Sequence, residues 1–305
     1  MRVADVPMPE LTDEGVLVRV RATSINALDW HMLRGKPYIT RLDEGLRAPK
    51  SAVLGVDVAG TVEAVGAEVT GLAVGDRVFG SRSGAFAEYV VGRNMVPMPA
   101  NLTFEQAAAV SVAGQTALQG LRDKGGLVPG QRVLIIGAGG GVGTFAVQIA
   151  KALGADVTAV TNTGSVDLVR SLGADRVADY TRENVTRGAA RYDLIMDIGG
   201  QDSLASLRRV LAPGGRVVMV APGRGNWVGF LARIGWAIVT SRLSSRKVLP
   251  FLSNVSTDDL LALKEMIEAG KVTPVVDRTY PLEQTPDAIR YVEEGRARGK
   301  VVITV

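Results

Sequence analysis

The chain has 305 residues, 47% of them apolar, so it is long enough for about two domains of roughly 100–200 residues, each with its own core. Its formal charge of +4 is spread without any Lys or Arg block, which argues against a nucleic-acid partner. There is no cysteine, which excludes disulfides and thiolate metal sites and suits a reducing, cytoplasmic setting; the opening MRVADVPMPELTDEG lacks the apolar core of a secretion signal.

From Gly15 onward the first third alternates in steps of two. Val16, Val18, Val20 and Ala22 fall on one face and Arg19 and Arg21 on the other, which predicts a strand with one buried side. Apolar runs at residues 58–65, 76–79 and 85–91 predict further strands, with Gly66, Gly71, Gly75, Gly80 and Gly84 as turn residues. After Pro99 the texture changes to helices alternating with fully apolar strands, the pattern of a parallel sheet covered on both faces. Strands are predicted at residues 132–136, 156–161, 176–180, 192–198 and 216–221. Between the first two, Val142, Phe145, Ala146, Ile149, Ala150 and Leu153 keep a helical spacing that ends at Gly154. The apolar stretch NWVGFLARIGWAIVT, residues 226–240, is shorter than the ~20 residues of a bilayer span and is broken by Arg233, so no membrane span is expected. It reads as a buried helix, a pocket lid or an oligomer contact. Farther on, Asp258 and Asp259 in a first turn predict a helix starting near Ser256 and stopping at Gly270. Thr285 as cap and Pro286 at the first position predict another, closed by Gly295, before a last strand over residues 300–304.

The strongest chemical signal is VLIIGAGGGVG, residues 133–143, an apolar strand running into a glycine loop that opens a helix. Glycines let the backbone approach a diphosphate closely, and the amide groups and positive end of the helix stabilise its charge. Gly137, Ala138, Gly139, Gly140, Gly141, Val142 and Gly143 are therefore expected to hold a dinucleotide, against the alternative of a purely structural turn. Val142 stands where the third glycine of GxGxxG would fall, and Gly137, Gly140 and Gly143 form a GxxGxxG series instead. About 20 residues on, an NAD enzyme places Asp or Glu at the end of the second strand. Here that strand runs into Thr161, Asn162 and Thr163, all neutral, with Arg170 nearby. A carboxylate there would repel a 2′-phosphate, so NADPH is the expected cofactor; if the three residues merely form a turn, NADH is accepted as well.

Residues 137–160, GAGGGVGTFAVQIAKALGADVTAV, resemble the cofactor loop of the zinc-independent, zeta-crystallin-like quinone oxidoreductases of the medium-chain dehydrogenase/reductase superfamily. VLVRVRATSINALDW (16–30), LGVDVAGTVEAVG (54–66), GAFAEYV (84–90) and the tail from Gly270 resemble the same family, so the likeness covers nearly the whole chain. The resemblance implies an α/β fold: a doubly wound Rossmann sheet at residues 101–249, and a GroES-like, mainly β catalytic domain from residues 1–100 and 250–305. Members usually begin with an extra strand before the segment matching MRVADVPMP, and often carry a basic residue where Gly164 and Ser165 stand. Related alcohol dehydrogenases bind catalytic zinc through Cys and His. Here Asn26 lies where the first ligand Cys would be, Gly55, Val56 and Asp57 stand in the segment usually written GHE, and the only His, His31, falls outside it, so no metal is expected. Without a Lewis acid, alcohol oxidation loses its usual driver, and quinones and conjugated enones, whose π systems spread charge, become the expected small-molecule acceptors.

Asn26 is the first catalytic candidate, its amide donating to a substrate oxygen, with a turn-stabilising Asn as the bland alternative. Asp29 and Tyr38 follow it and are expected to line the substrate side, Tyr38 as proton donor or aromatic wall; His31 reads rather as a packed or solvated side chain. Thr116 matches a family position beside the nicotinamide, where its hydroxyl would bond the carboxamide, or else is a helix-interior Thr bonding its own backbone. The sequence predicts an NADPH-dependent quinone or enone oxidoreductase, a homodimer by family habit. Two alternatives stay open: an NADPH-binding protein with an interaction or regulatory role, and a biosynthetic enoyl reductase.

Overall fold

The computed structural model describes residues 1–35, 53–199, 202–220, 235 and 245–305. Tyr38 and, apart from Gly235, the apolar stretch at 226–240 lie outside the described residues. The chain divides into two units, residues 1–115, 255–270 and 274–305 in the first and residues 116–254 and 271–273 in the second.

In chain order the described elements are β1 (Val16–Ile25), α1 (Ala27–Arg34), β2 (Asp57–Val65), β3 (Arg77–Ser81), β4 (Tyr89–Gly92), β5 (Met95–Pro97), α2 (Phe104–Ala108) and α3 (Ser111–Gln119). Then follow β6 (Arg132–Ile136), α4 (Gly141–Ala152), β7 (Asp156–Thr161), α5 (Val166–Ser171), β8 (Arg176–Asp179), β9 (Tyr192–Asp197), α6 (Leu204–Arg209), β10 (Leu211–Met219) and β11 (Lys247–Pro250). The chain closes with α7 (Thr257–Glu268), β12 (Val276–Pro281), α8 (Thr285–Glu293) and β13 (Lys300–Thr304).

The first unit is built on a seven-stranded sheet ordered β12-β13-β1-β2-β3-β5, with β4 also paired to β1. The alternation read in the sequence is the alternation of its core: Val16, Val18 and Val20 meet Val58, Val62, Val78 and Val90, while Arg19 and Arg21 face out. The last strand joins the first, antiparallel, with Ile25 opposite Val301. That register brings residue 300 to the end of β1, where α1 begins.

Three expectations change here. Gly80 is a strand residue rather than a turn, because a Cβ there would overlap the carbonyl oxygen of Asn94 across the β3–β5 edge. Residues 85–88 are not strand. The N–H groups of Ala85 and Phe86 donate to the carbonyls of Gly55 and Leu54, so this backbone is bonded to the approach to β2 instead of to a ladder. Thr285 is the first residue of α8 rather than its cap; its hydroxyl donates backward to the carbonyl of Leu282 at 2.6 Å.

The second unit holds a six-stranded sheet ordered β11-β10-β9-β6-β7-β8, all pairs parallel. Strands 6, 7 and 8 step one way from the centre and 9, 10 and 11 the other, the doubly wound arrangement whose switch point lies between β6 and β9. Leu134, Ile136, Val160, Ile195, Leu211 and Val217 share its core. The carboxyl end of β6, at the switch point, is where the glycine loop starts.

Candidate active site

At the end of β1 the backbone turns into α1 at Asn26, which is 8% exposed. As the N-cap it has extended backbone, and its N–H donates to Asp29 Oδ2 at 2.6 Å. Its side chain makes no cap bond to the helix. Instead Nδ2 donates to Asp57 Oδ2 at 2.8 Å, and Oδ1 accepts from Lys300 Nζ at 2.6 Å. Asp57, fully buried at the start of β2, also accepts from Ser24 Oγ at 2.5 Å and from the Val112 N–H at 2.8 Å. Lys300 donates its other hydrogens to the Ile25 carbonyl and to Asp57 Oδ2, both at 3.1 Å. A buried carboxylate and a buried ammonium thus satisfy each other with Asn26 between them, which is what makes their desolvation tolerable.

Asp29 is also fully buried, and its Oδ1 has no hydrogen-bond partner among the described residues. Burial pushes its carboxyl up from 3.8 to about 7, the nearby charge of Asp57 adding to the effect and the Asn26 N–H and Lys300 opposing it. His31 stacks on Trp30 with ring centroids 3.6 Å apart.

In the second unit the loop after β6 divides its amides into two groups. The N–H groups of Gly137 and Ala138 both donate to the Val160 carbonyl, and that of Gly140 to the Gly137 carbonyl, so these hold the loop's own shape. The amides of Gly141, Val142 and Gly143 begin α4, where no intrahelical acceptor exists, and the N-cap Gly140 has no side chain to bond them. Of the amides expected to meet a dinucleotide, those of Gly141, Val142 and Gly143 are the ones in the first turn of the helix. Gly139 and Gly143 are packing glycines: a Cβ would overlap Thr161 and Ser165 at the former and the Gly137 carbonyl at the latter. Gly137, at φ +89°, makes the left-handed turn. Gly143 supplies the close approach that the common motif assigns to the position of Val142.

At the end of β7 Thr161 is buried, while Asn162 and Thr163 reach the surface. Thr163 Oγ1 donates to Asp179 Oδ2 at 2.6 Å. Asp179, at the end of β8, also accepts from the N–H and hydroxyl of Thr181 and faces Arg182 at 3.5 Å. The Thr163 hydroxyl holds its carboxyl below the usual range, so it is charged near neutral pH. No carboxylate ends the second strand, but one arrives from the third. Thr116 lies in α3 and shares a 2.9 Å hydroxyl contact with Ser253.

Residues 12–100 match the family described as alcohol dehydrogenase GroES-like domain, and residues 172–303 the one described as zinc-binding dehydrogenase. The NADPH-dependent alkenal/one oxidoreductase of Arabidopsis thaliana chloroplasts is 33% identical over 98% of this chain and 74% of its own. The chain belongs to the medium-chain dehydrogenase/reductase superfamily. Among solved structures, an NAD-dependent alcohol dehydrogenase superposes with a TM-score of 0.85 at 31% identity, covering 100% of this chain and 95% of that one. The quinone oxidoreductase from Coxiella burnetii superposes at 0.85 and 27% identity, over 99% and 94%. Within the superfamily this chain falls in the quinone oxidoreductase branch, and it is a nicotinamide-dependent oxidoreductase with a Rossmann unit and a GroES-like unit. Among the described residues no helix is long and apolar enough to cross a membrane.

Asn26 and Asp29 are joined to a cluster that sequence reasoning missed. Lys300 read only as the opening of a final strand, and Asp57 only as a departure from GHE. A charge within the apolar run VDVAG and another at the head of the mainly apolar KVVITV were the signals available.

Proposed function

We propose that the chain transfers a hydride from NADPH to a quinone or an α,β-unsaturated carbonyl, without zinc. The observation that carries this reading is Asn26, fixed between Asp57 and Lys300 with one amide hydrogen that has no acceptor among the described residues. A bound dihydronicotinamide supplies the hydride. The chain's own residues do the rest. The first-turn amides of α4 bind the diphosphate; the Asn26 Nδ2–H donates to the acceptor's carbonyl oxygen as negative charge moves onto it; water returns the proton. Atoms balance as one hydride from the cofactor and one proton from solvent added to the acceptor.

The donor set does not fit zinc. No cysteine exists, Asn26 and Val56 occupy the places of the usual ligands, and the Lys300 ammonium already lies against Asn26 Oδ1 and Asp57 Oδ2, where a divalent ion would meet a like charge. Delocalised acceptors suit such a site, in keeping with its likeness to the alkenal/one and quinone oxidoreductase relatives.

NADPH is supported by the neutral Thr161 and Asn162 and by the name of the chloroplast relative. The alcohol dehydrogenase neighbour is NAD-dependent, and Asp179 favours the unphosphorylated ribose, so NADH is included as a second donor. The proposal includes a homodimer, after the family's habit, in the cytoplasm, which suits a cysteine-free chain; light scattering tests the dimer.

The experiment is absorbance-monitored NADPH oxidation against a panel of quinones, alkenals and alkenones. Turnover with at least one class is expected. No turnover with any acceptor, by folded protein that binds NADPH, would remove the proposal.

A further inference from the structure

Lys300 is the first residue of β13, and its side chain is 3% exposed. An ammonium has three hydrogens and no lone pair. All three are used: toward the Ile25 carbonyl, Asn26 Oδ1 and Asp57 Oδ2. Asp57 in turn has only lone pairs to offer the Asn26 amide nitrogen, 2.8 Å away.

The Asn26 carboxamide is therefore clamped between a group that only donates and a group that only accepts. Turning it over would set its NH₂ against an ammonium and its oxygen against a carboxylate, two repulsions in a dry site, so a single orientation survives. In that orientation one amide hydrogen is committed to Asp57 and the other has no acceptor among the described residues. A folding role alone asks for nothing of the kind, since apolar side chains of similar volume replace a buried ion pair at little cost.

We propose that Lys300 is the positioning residue for the Asn26 carboxamide, fixing its free N–H toward the acceptor's oxygen; this rests on the reading that Asn26 meets that oxygen. Lys300 itself touches neither acceptor nor cofactor in this role.

The test is a double-mutant cycle on kcat for enone reduction, with Asn26→Leu, Lys300→Met and the pair, alongside calorimetric binding of NADPH to each. Each single variant is expected to lose at least tenfold in kcat, with the KM for acceptor and the Kd for NADPH within about twofold of wild type. The pair is expected to lose no more than Asn26→Leu alone, because an amide that is gone cannot be misplaced. Losses that multiply in the pair, or a Lys300→Met enzyme with normal kcat, overturn the positioning role while leaving Asn26 as the donor. A normal kcat in Asn26→Leu overturns the donor reading and this inference with it.

Should Lys300→Met fail to fold, Asp57→Asn combined with Lys300→Met leaves no lone buried charge, and the same loss in kcat with intact NADPH binding is expected. Failure of both to fold would mark the pair as a folding element and overturn the proposal.

Discussion

The Thr163 hydroxyl donates to Asp179, Oγ1 to Oδ2, at 2.6 Å. A hydroxyl so directed shows only lone pairs to its other side. It can accept from a ribose hydroxyl but cannot donate to a phosphate. Asp179→Asn removes the charge and frees that donor, and Arg182, 3.5 Å away, loses its counter-ion. The ratio of NADPH to NADH affinity is expected to rise about tenfold, the size of one charge-assisted hydrogen bond. Calorimetry with both coenzymes checks it, and an unchanged ratio would separate Asp179 from cofactor choice.

The glycines of the loop are expected to differ. A Cβ at Gly143 overlaps the Gly137 carbonyl, so Gly143→Ala should cost about 1–3 kcal/mol of stability, read from the urea midpoint. At Gly140 the nearest atom to such a Cβ is 3.6 Å away and φ is −88°, so Gly140→Ala should fold within about 0.5 kcal/mol of wild type. Its methyl group stands on the open side of the helix start. NADPH binding is expected to weaken at least tenfold there without loss of stability.

Asp29 makes stability depend on pH. Its carboxyl titrates near 7 when folded and at the ordinary value of 3.8 when unfolded. Between these the unfolded chain binds fewer protons, so stability falls as pH rises from about 4 to about 7 and levels off above. The full loss is on the order of 4 kcal/mol. Asp29→Asn keeps an acceptor for the Asn26 N–H and removes the titration. Denaturant midpoints at pH 5 and pH 8 should differ less in the variant than in the wild type.

Much of the fold was legible because it is periodic. The two-residue alternation of β1 and the helical spacing after Gly140 are local, and β6 and β7 lie at the predicted residues. The candidate residues named from sequence are the local ones, the glycine loop and the closely spaced Asn26 and Asp29. Lys300 lies 274 residues from Asn26, and only the antiparallel pairing of β1 with β13 brings them together. Asp179 was missed for the same reason: the neutral end of β7 is read one strand at a time, and the carboxylate comes from its neighbour β8.

The most direct test uses NADPH deuterated at the nicotinamide C4 on the transferred face, with an enone acceptor and mass analysis of the reduced product. Direct transfer places one deuterium on the former β-carbon, and the solvent proton goes elsewhere. A product carrying hydrogen only from water at that carbon, formed while NADPH is consumed, would contradict hydride transfer by this chain.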